Sequence, residues 1–201
     1  MTQTGERLRP RAEPLPDGYR WWRVADAGWA DPLDATYADA AGGRWNTPGE
    51  GPTLYLCGDR ATARAQVARV LAGSPIDPED LADDAPFILV PVALPARQRV
   101  ADARTDMGLA ALGLPTTYPR TRRGTTVAWA RCRRAAAAVR AAGLRGVRAR
   151  SAARAAPGGR LGDELAWFPA RGAHARATGE PLPFAQWRHA QRDDRPDGDP
   201  G

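Results

Sequence analysis

Lysine is absent from this chain: all 29 lysine-plus-arginine positions are arginine. That excludes a Schiff-base lysine and the lysine of a phosphate-binding P-loop. Cysteine and histidine are scarce, with two of each. Cys57 and Cys132 stand apart inside apolar stretches, and His174 and His189 lie in a polar C-terminal region. Neither pair has the spacing of a metal site, so no metal centre is expected. A Ser-His-Asp hydrolase is also disfavoured, because its base must be held rigidly by the core. No apolar run approaches the roughly 20 residues that span a bilayer. Residues 1–7 carry no apolar leader segment. With both cysteines read as reduced core residues, the expectation is a cytoplasmic protein without a membrane partner.

What is present is basic. The net charge is +6 and the sequence pI about 10.3. A basic balance can signal nucleic acid. Here the arginines are dispersed and interleaved with acids, and arginine, alanine, glycine and proline are abundant together. That pattern reads as a composition bias, and no direct nucleic-acid contact is expected. A chain of 201 residues can bury one sizeable core.

The segment 1–18 is rich in proline, glycine and charge and reads as disordered. Residues 19–170 carry the periodic patterns of one domain. From 171 to 201 a polar, largely disordered tail is expected, with a short amphipathic piece at 183–190 around Phe184 and Trp187. Strands are predicted over 19–24, 53–57, 87–94, 145–151 and 165–168. Pro91 implies an edge or a bulge in the third of these. Helices are predicted over 61–71, capped by Asp59, over 106–112, and over 125–142. In the last, Trp129, Cys132, Ala136 and Val139 form one stripe, with Arg131, Arg133, Arg134 and Arg140 largely off it. The fold class is therefore mixed α/β (α+β): a single domain with a small bent sheet and helices packed on it.

The candidate site centres on Gly42-Gly43-Arg44-Trp45-Asn46. The glycine pair permits a tight turn or close approach to a ligand. Arg44 and its neighbouring N–H groups suit a pyrophosphate. Arg23 is a second anion candidate, with Arg20 as its rival. Trp45 is either a stacking surface or a hydrophobic plug. Tyr55 and Ser151 look like ordinary strand residues by pattern alone.

These residues resemble the RES domain, the toxin half of a bacterial toxin–antitoxin family. The resemblance rests on Gly42 through Asn46, on Leu54-Tyr55-Leu56 and on the helix Ala61 to Val67. Weaker pieces follow at 109–114, 143–151 and 165–169. It implies an ADP-ribosyltransferase-like architecture and an NAD-consuming activity, either NAD phosphorylase or glycohydrolase-like, or ADP-ribosyltransferase-like. NAD is then a substrate, with no separate cofactor, and the partner is a helix-turn-helix antitoxin; a homodimer is compatible with the sequence. Arg23, Gly43, Arg44, Trp45, Asn46, Tyr55 and Ser151 would bind NAD, and Arg44, Gln66 and Ser151 would carry the catalysis. Tyr55 would lie near nicotinamide and Ser151 would bind ribose or a phosphate oxygen.

The departure is Gln66, where the family has glutamate. A carboxylate would offset the positive charge developing on the ribose as nicotinamide leaves. An amide brings none, so turnover would fall on the order of a hundredfold. Gln66→Glu is then expected to speed cleavage. The alternative is a catalytically weakened RES-like module that binds NAD or a protein. Glu50, Glu79, Glu164 and Asp59 could substitute, but no sequence pattern places any of them at the site.

Overall fold

The computed structural model describes residues 8–72, 80–153 and 162–190. Residues 73–79, 154–161, 191–201 and 1–7 lie outside it, and with them Glu79, most of the glycine-rich loop at 155–162 and the end of the tail. The strands are β1 (Ala12–Pro14), β2 (Trp21–Asp26), β3 (Leu54–Cys57), β4 (Phe87–Ala93), β5 (Arg99–Ala103), β6 (Gly146–Arg150), β7 (Asp163–Trp167), β8 (Arg176–Ala177) and β9 (Leu182–Pro183). The helices are α1 (Thr36–Ala41), α2 (Arg60–Val70), α3 (Asp106–Ala111) and α4 (Trp129–Ala141).

The strands form one sheet in the order β1-β5-β6-β7-β3-β2-β4-β8, with β9 also on β4. Among the described residues only β5 and β6 pair in parallel, so the sheet is mixed. That single parallel pair needs a long crossover, and α3 and α4 lie in it. Strand alternation separates two faces. Leu54, Leu56, Leu165, Trp167 and Trp21 build a core on one face. The other face carries two clusters. Cys132, Ala135, Ala136 and Val139 of α4 pack over β5 and β6 in the first. In the second, Ala63 and Val67 of α2 pack over Trp22, Cys57 and Leu89. This is the mixed α/β single domain expected.

Local chemistry explains most boundaries. Asp59 caps α2 by accepting from Thr62 N at 2.5 Å, a contact worth about 1 kcal/mol. Gly113, at φ 66°, follows α3. Pro91 is tolerated inside β4 for a visible reason. Its carbonyl accepts from Thr178 N on the outer side, and an antiparallel residue's N–H points the same way as its C=O. The missing donor thus falls between β8, which pairs with Val92 and Ala93, and β9, which pairs with Ile88 and Leu89.

Two expectations about the termini are corrected. Residues 12–14 are not disordered: β1 pairs with β5, and Leu15 enters the core at 6% exposure. Nor does the fold stop at 170. β8 and β9 cover the edge of β4, and Phe184 and Trp187 are buried against α2 and β4. Residues 12–15 and 176–187 are ordered by tertiary pairing, which overrides the polar, proline-rich composition around them. The stripe of α4 is corrected too: Trp129, in its first turn, is 43% exposed, and Ala135 takes the core position instead.

Candidate active site

β2 and β3 share one backbone pair, Trp22 with Cys57. Past it, Arg23 Nη1 donates to the Tyr55 carbonyl at 3.1 Å, so a side chain satisfies an acceptor that the ladder leaves open. Burial lowers the Arg23 pKa, and its guanidinium lies 5.5 Å from the Trp29 ring. A cleft of about 310 Å³ opens between the two clusters of the helix-bearing face. It is lined by Arg23, Gly43, Arg44, Trp45, Tyr55 and Gln66 of the sequence-derived set, together with Arg69, Trp129 and Glu164. Arg20 is exposed and does not line it, which leaves Arg23 as the arginine at this position. A second cavity of about 700 Å³, between residues 31–36 and 169–177, contains none of the expected site residues.

The loop at 42–46 is held by the protein itself. Gly42, at φ 72°, occupies the left-handed region that glycine favours. A Cβ on Gly43 would lie 2.8 Å from Tyr55 Cζ, so only glycine lets the tyrosine seat against the loop. Tyr55 Oη accepts from Trp45 N at 2.9 Å and donates to Asn46 Oδ1 at 2.7 Å. Asn46 Nδ2 donates onward to the Ala38 carbonyl at 2.5 Å. From α4, Arg133 Nε donates to the Gly43 carbonyl at 2.9 Å, and Arg140 Nη2 to Thr53 Oγ1 at 2.7 Å.

These bonds reassign several residues. Asn46 is fully buried and outside the cleft lining, so it is a strut of the loop rather than a ligand contact. Trp45 is 1% exposed and packs with Tyr118, which makes it the plug of its two readings. The Tyr55 hydroxyl is spent on the loop. Desolvation first, moderated by the bond from Trp45 N and by nearby arginines, leaves its pKa pushed up to about 12. Only its ring is offered to the cleft. Arg44 is 7% exposed; its Nη1 donates to the Val127 carbonyl at 3.3 Å, and its guanidinium lies 6.0 Å from the Trp129 ring. Burial raises the Cys57 thiol well above its usual range, so it is no nucleophile at neutral pH.

Glu164 is one of the four acids that the sequence offers without placing, and the structure puts it in the cleft lining. The register of β7 sets it opposite Cys57 on β3 and Ala149 on β6, near the middle of the sheet. Its Oε1 accepts three bonds: from Gln66 Nε2 at 2.6 Å, from Ser151 Oγ at 2.5 Å and from Ala152 N at 3.0 Å. A carboxylate oxygen can only accept, which fixes the Gln66 amide with its NH₂ toward Glu164. Ser151 is fully buried and is not among the lining residues. The expected direct contact of its hydroxyl with ribose or phosphate is therefore replaced by a bond to Glu164. Three guanidiniums, from Arg23, Arg44 and Arg69, and one carboxylate line the cleft. Such a lining favours an anionic ligand while keeping one negative group within it.

Arg69 was findable from sequence, since it lies three residues after Gln66 and i, i+3 positions share a helix face. Glu164 had a weaker signal: it falls on the same strand face as the buried Ala166. Trp129 had none, because its stripe reads as core.

The chain belongs to the RES domain family, whose model matches residues 20–188. Among solved structures it is similar to that described as the crystal structure of the M. tuberculosis MbcT-MbcA toxin-antitoxin complex. The identity is 19% and the TM-score 0.63, over 89% of this chain and 90% of that chain. At that identity the likeness establishes the fold. Comparison with curated proteins returns no match.

Proposed function

We propose that this protein is a RES-family toxin that binds NAD in the cleft and breaks its N-glycosidic bond, releasing nicotinamide with phosphate or water as acceptor. The observation that carries the reading is the assembly of Arg23, Gly43, Arg44, Trp45, Tyr55 and Gln66, from separate elements, around one cleft. Arg23 and Arg44 hold the pyrophosphate, two guanidinium cations being suited to a doubly charged group. The Tyr55 ring takes the nicotinamide end. NAD is the substrate, and no further cofactor is required. The likeness to a toxin held in a toxin-antitoxin complex supports an antitoxin partner here, of the helix-turn-helix kind. The alternative, a catalytically weakened NAD- or protein-binding module, has Gln66 as its main support. Glu164, 2.6 Å from that amide, weakens it by bringing a carboxylate to the same place.

Arg44→Ala tests the reading. A charged hydrogen bond is worth about 1.5–3 kcal/mol, so calorimetric titration should show NAD affinity falling roughly tenfold to a hundredfold in a folded variant. Unchanged affinity would remove Arg44 from the site and the anion argument with it.

A further inference from the structure

We infer that Glu164 is the catalytic carboxylate of this cleft, and that Gln66 and Ser151 are its positioning residues. The inference rests on the NAD reading above and deepens it. Glu164 is the one acidic side chain among the described residues that line the cleft. Three donors from one helix and one loop, Gln66 of α2 with the Ser151 hydroxyl and the Ala152 N–H after β6, converge on a single oxygen, Oε1. No described residue donates to Oε2. One oxygen is thus fixed to the protein, and the other is left for what enters the cleft. A carboxylate so oriented is pre-organised: its geometry is set before any positive charge appears opposite it. A structural glutamate would instead be expected to meet an arginine at this depth, yet Arg23 and Arg44 donate to backbone carbonyls.

In the reaction, the bond between ribose C1′ and the nicotinamide ring nitrogen breaks. Its electron pair goes to that nitrogen, so neutral nicotinamide leaves and the ribose carries the positive charge. An oxygen of phosphate or water supplies the pair for the new C1′–O bond, and with water the released proton passes to solvent. Glu164 faces the cation and offsets its charge. Gln66 holds Glu164 through its amide, so the negative charge at this site comes from β7, and α2 provides the donor.

The test exchanges the two groups. Nicotinamide release and NAD binding are measured for the full chain, for Glu164→Gln, and for the double variant Gln66→Glu with Glu164→Gln. Glu164→Gln keeps the size and one acceptor oxygen for the three donors while removing the charge. It should lower kcat on the order of a hundredfold while the NAD dissociation constant stays within about threefold, a split that a packing role would not produce. The double variant restores an amide–carboxylate pair in reverse and should recover at least tenfold of that loss. A Glu164→Gln protein that cleaves NAD at the wild-type rate overturns the inference and leaves the NAD reading standing. So does a loss of kcat that the double variant fails to recover while remaining folded. If Glu164→Gln does not fold, the double variant alone decides, by cleaving NAD or not. A wild-type protein that neither binds nor cleaves NAD overturns the NAD reading, and this inference with it.

Discussion

Gln66→Glu is the change that the sequence invites, and the structure reverses its expected effect. The new carboxylate would meet Glu164 at the 2.6 Å now spanned by the amide bond. Two ionised groups at that separation repel by about 6 kcal/mol at an effective dielectric constant of about 20. Holding a proton on an ordinary glutamate at pH 7 costs only about 4 kcal/mol, from a reference pKa near 4.3. The pair should therefore keep one proton, and 2.6 Å is a normal length for the resulting O–H···O⁻ bond. Net charge at the site is then unchanged at neutral pH, and cleavage should not accelerate. The shared proton is bound more tightly in the folded state than in the unfolded chain. Its folded pKa is raised, so its contribution is fully present at acid pH and is lost as pH rises through that value. Urea denaturation of Gln66→Glu and wild type from pH 5 to pH 9 should show a stability gap that widens with pH. Nicotinamide release at pH 7 should be no faster in the variant. A gap independent of pH, together with faster release, would mean that the two side chains do not share a site, and the argument would fail.

Two further outcomes follow from particular contacts. Tyr55→Phe removes a hydroxyl that serves Trp45 N and Asn46 Oδ1. Leaving those buried groups unpaired should cost about 1–3 kcal/mol each. The loss should be visible in urea titration and accompanied by weaker NAD binding, whereas a ring used only for stacking would leave stability unaltered. Trp187→Ala should destabilise the whole domain by about 3–5 kcal/mol, because the ring is 1% exposed against the α2 cluster. Thermal unfolding would read this, and an unchanged midpoint would return residues 171–190 to the status of a tail.

The parts of the fold that were legible are those whose signal is local. The sequence from Thr53 to Val70 announces itself by an apolar run, an aspartate cap and a helical period, and the strand, cap and helix all appear there. The glycine-arginine-tryptophan-asparagine loop was legible as a site, but the jobs of its members were not. Motif chemistry assigned Asn46 outward, to a ligand, and gave the Tyr55 hydroxyl no task. Hydrogen-bond accounting assigns them inward, because the loop has few backbone partners of its own and must borrow side chains. The edges were illegible for a related reason. β1, β8 and β9 run two or three residues each, too short for any period to register. They exist because β5 and β4 offer unpaired backbone and because Leu15, Phe184 and Trp187 have apolar surface to bury.

The carboxylate shows the limit most sharply. Gln66 and Glu164 are 98 positions apart, and neither is unusual in its own segment. What joins them is sheet order: β7 lies beside β3, and α2 follows directly from β3 and folds back over that face. A side chain from α2 and one from β7 therefore reach the same point above Cys57, and the charge can be carried by either. The negative group of the cleft occupies that point in space, while a motif records only one of the chain positions able to supply it. An amide at position 66 is thus a loss of charge only if the facing residue is neutral. In this chain the facing residue is a glutamate held by three donors.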